Sequence, residues 1–294
     1  MISTYGNALY DTSNFLLGVD LKLATSRFRG NKNLSLSVYG VKSQTASENQ
    51  TVSGSSRDLS FGAEIYYPND NLSFRLGHMQ IQENFVAGIG FVPRPGVRQS
   101  YGDVTLGYRP GKFGILQVLA GGGLDHVSGL DASLLTREWN IMPLQIRFLK
   151  GDLFKYRLNS SYEFLEKPFD LYTYYTIPSG IHEFAWQTIS FESAKRRNLW
   201  GSIDFRFGDF YNGTRREINL QTGYKVAVPL FIGAELIRND IMLAGSGFTA
   251  NVYRLNLNIL FSPDITLYTF IQYDSQSNKM GWQSRFQWII KPGK

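Results

Sequence analysis

The sequence contains no cysteine, which excludes disulfide frameworks, thiolate zinc sites and cysteine nucleophiles. It has only three histidines, and no two of them stand at metal-ligand spacing with a carboxylate. We therefore predict no metal site and no cofactor. The glycine run at 121–123 lacks the Lys and Ser/Thr of a phosphate-binding loop, so we interpret it as a bend or bulge.

Charge is also scarce, because charged residues make up 18% of the 294-residue chain against roughly 25% in an ordinary soluble domain. The net charge is +6, but the Lys and Arg residues are scattered along the chain. The densest basic group, at 195–197, is too small for a nucleic-acid interface, so we expect no nucleic-acid partner. A hydrophobic fraction of 43% excludes a disordered chain.

Long apolar runs are missing, since no stretch approaches the roughly 20 residues of a membrane-spanning helix. The chain instead shows a hydrophobic period of two, which is typical of strands. About fifteen segments of about ten residues follow it, and ten residues is the length of a tilted membrane strand. The segments are 15–25, 33–43, 57–67, 71–81, 100–109, 113–123, 137–149, 153–165, 180–192, 198–208, 215–226, 229–238, 252–262, 264–274 and 280–290.

The connections between these segments alternate in length. Short turn sequences occur at 68–71, 109–112, 150–152 and 262–264. Longer polar connections are predicted at 43–56, 85–99, 126–136, 166–179 and 240–251. Short turns at one end and long loops at the other are typical of outer-membrane barrels.

Aromatic residues make up 15% of the chain and cluster near the ends of the predicted strands, where interfacial girdles lie in membrane barrels. The clustered residues are Tyr66, Tyr67, Tyr172, Tyr174, Tyr175, Phe205, Phe207, Tyr268, Phe270, Trp282, Phe286 and Trp288. We predict an all-β fold, an antiparallel up-and-down transmembrane β-barrel of about 14–16 strands, embedded in the lipid of the bacterial outer membrane. Residues 1–294 are predicted to form a single barrel domain. Because such barrels have even strand numbers, a count near fifteen predicts a barrel incomplete at one or both ends.

The polar faces of the predicted strands carry charged residues that we expect to face the lumen. These candidates are Asp20, Lys22, Arg75, Lys155, Arg157, Glu163, Glu217, Lys225, Glu235, Arg254 and Arg285. They could set the ion or solute preference of a pore, or they could pair across neighbouring strands and hold the wall in shape. The tyrosines at 172–175 could likewise stack on sugar rings or anchor the barrel at lipid headgroups.

Several segments resemble the C-terminal region of a bacterial family of unknown function. They are 207–213, 260–263, 270–274 and 281–288, with Arg254, the stretch 90–94 and Lys291, Pro292 and Gly293. Members of this family join an N-terminal family-nine-type carbohydrate-binding domain to a C-terminal barrel. The resemblance implies that this chain is most of the barrel part of a longer exported protein, without the carbohydrate-binding part and a final aromatic strand. Its motifs imply no catalytic residue.

We therefore expect a non-enzymatic outer-membrane barrel that acts as a pore or handles glycans or other small solutes at the cell surface. One alternative is a hydrolase resembling outer-membrane phospholipases, in which His126 deprotonates Ser128 and Asn140 orients the imidazole. Against this alternative, Ser128 falls in a predicted loop. The other alternative is a soluble all-β binding module whose aromatic residues form a core.

Overall fold

The computed structural model describes residues 2–6, 13–46, 57–171 and 175–290. Within them, no helix is long and apolar enough to cross a membrane. The strands are β1 Ile2–Tyr5, β2 Ser13–Phe28, β3 Lys32–Ala46, β4 Leu59–Pro68, β5 Leu72–Ile81, β6 Val97–Tyr108, β7 Ile115–Gly129, β8 Leu134–Phe148, β9 Leu153–Leu165, β10 Phe169–Leu171, β11 Tyr175–Ile177, β12 Gly180–Glu192, β13 Leu199–Phe210, β14 Gly213–Ala227, β15 Leu230–Leu243, β16 Ser246–Ser262, β17 Ile265–Asp274 and β18 Lys279–Trp288.

Sixteen of these strands form one antiparallel sheet in which hydrogen-bonded neighbours follow one another along the chain. The order runs from β1 to β9 and continues from β12 to β18, while β10 and β11 form a separate hairpin. The predicted all-β, up-and-down topology is confirmed. Each of the fifteen predicted segments corresponds to a strand, and the short β1 is the sixteenth. The strands β1 and β18 stand at the ends of the order, and each has one neighbour in it.

The chain forms two compact units. Unit one comprises Met1–Gly107, Gly121–Ile141 and Ser161–Phe164, and unit two comprises Tyr108–Ala120, Met142–Ser160 and Leu165–Lys294. In unit one a small apolar core forms around Ile81, Phe85, Val97 and Leu135. In unit two a second small core forms around Ile177, Ile241 and Leu243. A single barrel domain over the whole chain stays a prediction.

Each strand of the sheet has one apolar face and one polar face, because successive side chains point to opposite sides. In unit one the register places Leu21 of β2 beside Val38 of β3, and Lys22 beside Ser37. The apolar face is exposed, since Leu21 has 53% and Val19 has 63% of its surface accessible. A soluble sheet would bury such side chains against a second layer.

The apolar face of unit two has the same character. The register aligns Ile203 of β13, Leu220 of β14 and Leu236 of β15 in one row. Tyr253 of β16 extends that row, and Ile203, Leu220 and Tyr253 are all exposed. The apolar row in this unit therefore has no described protein layer against it.

Two of the predicted long loops are wrong. The connection predicted at 126–136 is short, because β7 extends to Gly129 and β8 begins at Leu134. The loop predicted at 240–251 is a hairpin in which only Ala244 and Gly245, both at positive φ, separate β15 from β16. Asp240 stays in its strand, where it accepts hydrogen bonds from Arg238 and Thr249. The polar residues near Asp240 show where the apolar row ends, whereas the strand continues beyond them.

The aromatic residues predicted to form girdles divide between the two faces. Tyr67, Phe205 and Phe207 lie on the apolar face with the leucine and isoleucine rows, as do Trp282, Phe286 and Trp288 of β18. The prediction is wrong for Tyr66, Tyr268 and Phe270, because their register partners Arg75, Asn258 and Asn256 place them on the polar face. Tyr172 and Tyr174 lie outside the described residues, as do Lys291, Pro292 and Gly293.

A charged contact joins two turns in unit two. Asp152, after β8, accepts hydrogen bonds from both terminal nitrogens of Arg197, with 2.8 Å from Nη2 to Oδ2, and from the Ala194 amide at 3.0 Å. The Arg197 guanidinium lowers the pKa of Asp152 from 3.8 to about 2, and the same contact raises the pKa of Arg197. This contact ties the β8–β9 turn to the β12–β13 turn.

We predict that Asp152→Asn lowers the resistance of the folded chain to heat, measured in detergent by the temperature at which the compact electrophoretic form is lost. Since the folded pKa is depressed, the stabilisation is present above pH 3.8 and is lost as the pH falls toward 2. The difference between wild type and variant should therefore shrink across that window. Asp264→Asn is the control, because the Asp264 side chain makes no hydrogen bond or ion pair among the described residues. Equal losses in the two variants would contradict the prediction.

Candidate functional site

The polar face of the sheet holds the charged residues predicted from the sequence. Register places Asp20, Lys22, Arg75, Glu217, Lys225, Glu235, Arg254 and Arg285 on it. On β9, Lys155, Arg157 and Glu163 alternate with Phe154 and Tyr156, and the Tyr156 hydroxyl contacts Gln187 in the apolar row of β12. The β9 charges therefore lie on the polar face as well. That this face lines a lumen stays a prediction.

A charged and aromatic cluster occupies the polar face of unit one. Glu64, Gly77 and Tyr101 are aligned across β4, β5 and β6. Because Gly77 has no side chain, the Tyr101 ring lies across it, and the Tyr101 hydroxyl donates to Glu64 at 2.8 Å. Arg75 lies 3.9 Å from the same carboxylate and stands over the Tyr66 ring. A side chain at position 77 would displace the tyrosine from the glutamate.

Arg75 was predicted from the sequence, but its partners Glu64 and Tyr101 were missed. Glu64 stands on the polar side of a strand that was predicted, so its alternation with Phe61 and Ile65 was a usable signal. Tyr101 gave no such signal, because an aromatic side chain is expected on the apolar face. Only the cross-strand register shows that it faces Glu64 over a glycine.

A segment of unit one is fastened to the polar face of β2 and β3. Asn14 and Ser43 each have 1% of their surface exposed. Asn14 Nδ2 donates to the Val86 carbonyl at 3.1 Å, and the Gly88 amide donates to Asn14 Oδ1 at 3.0 Å. The Val86 amide donates to Ser43 Oγ at 3.0 Å, and the nearby Phe85 is buried. The segment 82–96 between β5 and β6 is therefore held against the polar side of the sheet.

We predict that Asn14→Leu releases this segment. The substitution removes the acceptor of the Gly88 amide and the donor to Val86, and each buried group left unpaired costs about 1–3 kcal/mol. Hydrogen exchange at the Val86 and Gly88 amides should become faster. Thr45→Val serves as the control, since it removes only the Asn14 contact that does not involve the segment. Unchanged exchange at Gly88 in Asn14→Leu would show that the segment is held by other contacts.

In unit two, opposite charges pair across neighbouring strands. Arg254 Nη1 lies 2.8 Å from Glu235 Oε2, and Arg254 Nε donates to Gln272 at 2.9 Å. Gln221 donates to the other Glu235 oxygen at 2.9 Å. Elsewhere Glu217 pairs with Arg215 on its own strand. Glu235 and Arg254 thus pair across neighbouring strands, which is one of the two roles expected for these charges.

An aromatic cluster lies on the polar face of β12 and β13, beside the β10–β11 hairpin. The rings of Phe184 and Trp186 stack with centroids 5.7 Å apart, and Tyr211 contacts both Phe184 and His182. His182 Nε2 lies 2.8 Å from the Pro178 carbonyl, and Ile177 of the hairpin is fully buried. The described part of the β10–β11 hairpin is therefore packed against the polar face.

The residues of the hydrolase alternative are not assembled. Ser128 lies on strand β7, so its predicted place in a loop is wrong. Asn140 of β8 lies beside Gly122 of β7, because a Cβ atom added to Gly122 would be 2.9 Å from the Asn140 carbonyl oxygen. Gly122 is four residues from His126, about 13 Å along the strand. No hydrogen bond joins His126, Ser128 and Asn140 within the described chain.

In the described part of the chain, no three His, Asp or Glu residues are close enough to hold a metal ion.

The fold has counterparts among solved structures, although no family model and no curated protein matches the chain. The chain is similar to the open form of the ferric-catecholate import receptor Fiu from E. coli K12, with a TM-score of 0.52 and 11% identity over 99% of this chain. The matched part is 62% of that receptor's length. At this identity the likeness concerns the fold alone, and the fold is that of an antiparallel β-barrel.

Two further solved structures show weaker similarity. One is a mutant of the Rh. blastica porin, with a TM-score of 0.45 and 13% identity, covering 96% of this chain and 93% of the porin. The other carries the description "Asymmetric conductivity of engineered proteins" and has a TM-score of 0.41 and 13% identity, with the same coverage of both chains.

Proposed function

We propose that this chain is an outer-membrane β-barrel without catalytic function that conducts small solutes along the polar face of its sheet. The observation that carries the proposal is the exposed apolar face. Val19, Leu21 and Leu23 are all more than half exposed, and the apolar rows of both units lack a second layer among the described residues. Complete burial of such a side chain is worth about 1.5–3 kcal/mol, so the exposed half of each costs on the order of 1 kcal/mol in water.

Hydrocarbon removes this cost but adds a second requirement, which concerns the backbone. In a bilayer every backbone N–H and C=O group needs a partner within the protein, which an antiparallel sheet closed into a barrel provides. The lengths of the strands fit this medium, since most have ten or more residues and membrane strands need about 9–11. The soluble binding module would require a covered apolar face, so the exposed rows argue against it.

The polar face supports passage of hydrophilic solutes. It carries paired and unpaired charges, amides and hydroxyl groups, all of which are stable beside water. The segment 82–96 in unit one and the β10–β11 hairpin in unit two lie against this face and would narrow a path along it. Handling of glycans, and a carbohydrate-binding domain on the same polypeptide, rest on the family resemblance alone and remain proposals.

The membrane assignment is tested by adding a charge to either face of one strand pair. Leu21→Arg places a cation in the middle of β2 on the apolar face, where the cost at the bilayer midplane is about 2–4 kcal/mol. We expect this variant to insert poorly into lipid vesicles, measured by flotation and by protection from protease. Ser37→Arg is the matched control, since it adds the same charge to the polar face of β3. Equal insertion of the two variants, or a wild-type chain that is monodisperse in buffer without detergent, would contradict the assignment.

Conduction is tested separately, with the full chain in planar lipid bilayers. We expect discrete conductance steps, because a polar face long enough to cross the bilayer provides a continuous path for ions. Asn14→Leu should increase fluctuations of the open current, since it releases the segment 82–96. A chain that inserts correctly and carries no current would overturn the pore proposal and leave the membrane assignment intact.

A further inference from the structure

The acidic residues on the polar face of unit two are engaged by neighbouring groups. Glu235 pairs with Arg254 at 2.8 Å, Glu192 lies 3.3 Å from Lys195, and Asp204 accepts a hydrogen bond from Ser190. Glu217 pairs with Arg215. Glu192, Glu217 and Glu235 are therefore each paired with a cation, whereas Asp204 is bonded to a neutral hydroxyl and keeps its charge.

Three cations of the same surface are not balanced in this way. Lys155, Arg157 and Arg206 make no hydrogen bond and no ion pair within the described residues. The Nε atoms of Arg157 and Arg206 are shielded from solvent and have no acceptor. An incoming oxygen ligand would therefore meet the terminal nitrogens of these two side chains, which also make no hydrogen bond within the described residues.

The three cations belong to one part of the polar face. Lys155 and Arg157 are two residues apart on β9, so their side chains point to the same side. Lys155 lies within electrostatic range of Arg157, Arg147, Asp204 and Glu192. Asp204 is in turn two residues from Arg206 on β13, on the same face.

The aromatic cluster fixes the position of Arg206. Its guanidinium carbon lies 5.9 Å from the centre of the Trp186 ring, a cation–π contact. Glu217 is its register partner on β14, but that carboxylate pairs with Arg215 and forms no hydrogen bond with Arg206. Trp186 is itself stacked on Phe184. The uncharged Trp186 ring thus orients Arg206, and the N–H groups of the guanidinium remain available to another partner.

We propose that Lys155, Arg157 and Arg206 form a binding site for small anions, specifically solutes that carry a carboxylate or a phosphate group. Guanidinium groups bind both through paired N–H···O bonds, and cationic side chains give anion preference to pores. The inference rests on the proposed pore function and narrows its solute class to anions.

The test measures ion preference of the full chain in planar bilayers under a KCl gradient, at about 0.1 M, where charges act over about 10 Å. We expect chloride to permeate better than potassium in the wild type. Arg157→Gln and Arg206→Gln should each lower the chloride-to-potassium ratio about twofold, the effect of a unit charge roughly 8 Å from the ion in water. At about 1 M salt the preference should fade, because screening then acts within about 3 Å.

Arg216→Gln is the matched control. Arg216 carries the same charge on β14, but its register partners Phe207 and Asp240 place it on the apolar side of the sheet. Its neutralisation should leave the ratio unchanged. Conservative variants Arg157→Lys and Arg206→Lys should keep most of the chloride preference, and correct folding of every variant is checked by heat-modifiable migration.

A second measurement addresses binding directly. Inorganic phosphate added to the bath should reduce the chloride current of the wild type, and it should reduce it less in the Arg157→Gln/Arg206→Gln double variant. A conducting wild type that prefers potassium, or a ratio and phosphate block that do not change in these variants, would overturn the anion site while leaving the pore proposal in place. A chain that carries no current would overturn the pore, and the anion site with it.

Discussion

The exposed apolar face is the constraint on which the rest of the structure depends. Side chains such as Leu21 and Leu220 are unfavourable in water, and the described chain offers no layer to cover them. An apolar solvent satisfies them, but the same solvent gives no partners to backbone groups, so the strands must be bonded to one another throughout. The up-and-down order of sixteen strands meets that demand for the strands inside the sheet, which are paired on both sides, while β1 and β18 each have one neighbour in the order. The proposed membrane location therefore follows from side chains and backbone together.

The opposite face must then satisfy its own polar groups, and it does so in three ways. Charges pair across adjacent strands, as Glu235 and Arg254 do. Large rings lie over glycines of the neighbouring strand, so that Tyr101 crosses Gly77 to reach Glu64. Connecting segments fold back and bond to the wall, as 82–96 does through Asn14. The arginines on β9 and β13 depart from this pattern, which is why they are the strongest candidates for contact with a solute.

The sheet could be predicted from the sequence because alternation is a local signal. Strands as short as β1, β10 and β11 could not, since three or four residues are too few to show a period. The β15–β16 hairpin was missed for a different reason. Arg238 and Asp240, near the end of β15, are polar because the apolar row ends before them. The backbone hydrogen bonds between β15 and β16 nevertheless continue past both residues.

The site was predicted in part. The alternation places Lys155, Arg157 and Arg254 on the polar face, but it does not show which of them finds a counter-charge. That depends on cross-strand register, which brings Glu235 to Arg254 and leaves Arg206 beside Trp186. The same register places Tyr268 and Phe270 on the polar face, although their aromatic side chains alone predict the apolar face.

The order of the strands has a consequence for how the chain folds. With the exception of β9 and β12, every bonded pair in the sheet is adjacent in sequence, so most native contacts require closure of only short loops. Contact order is therefore low for so large a sheet, and each hairpin can add to the growing edge without waiting for distant segments.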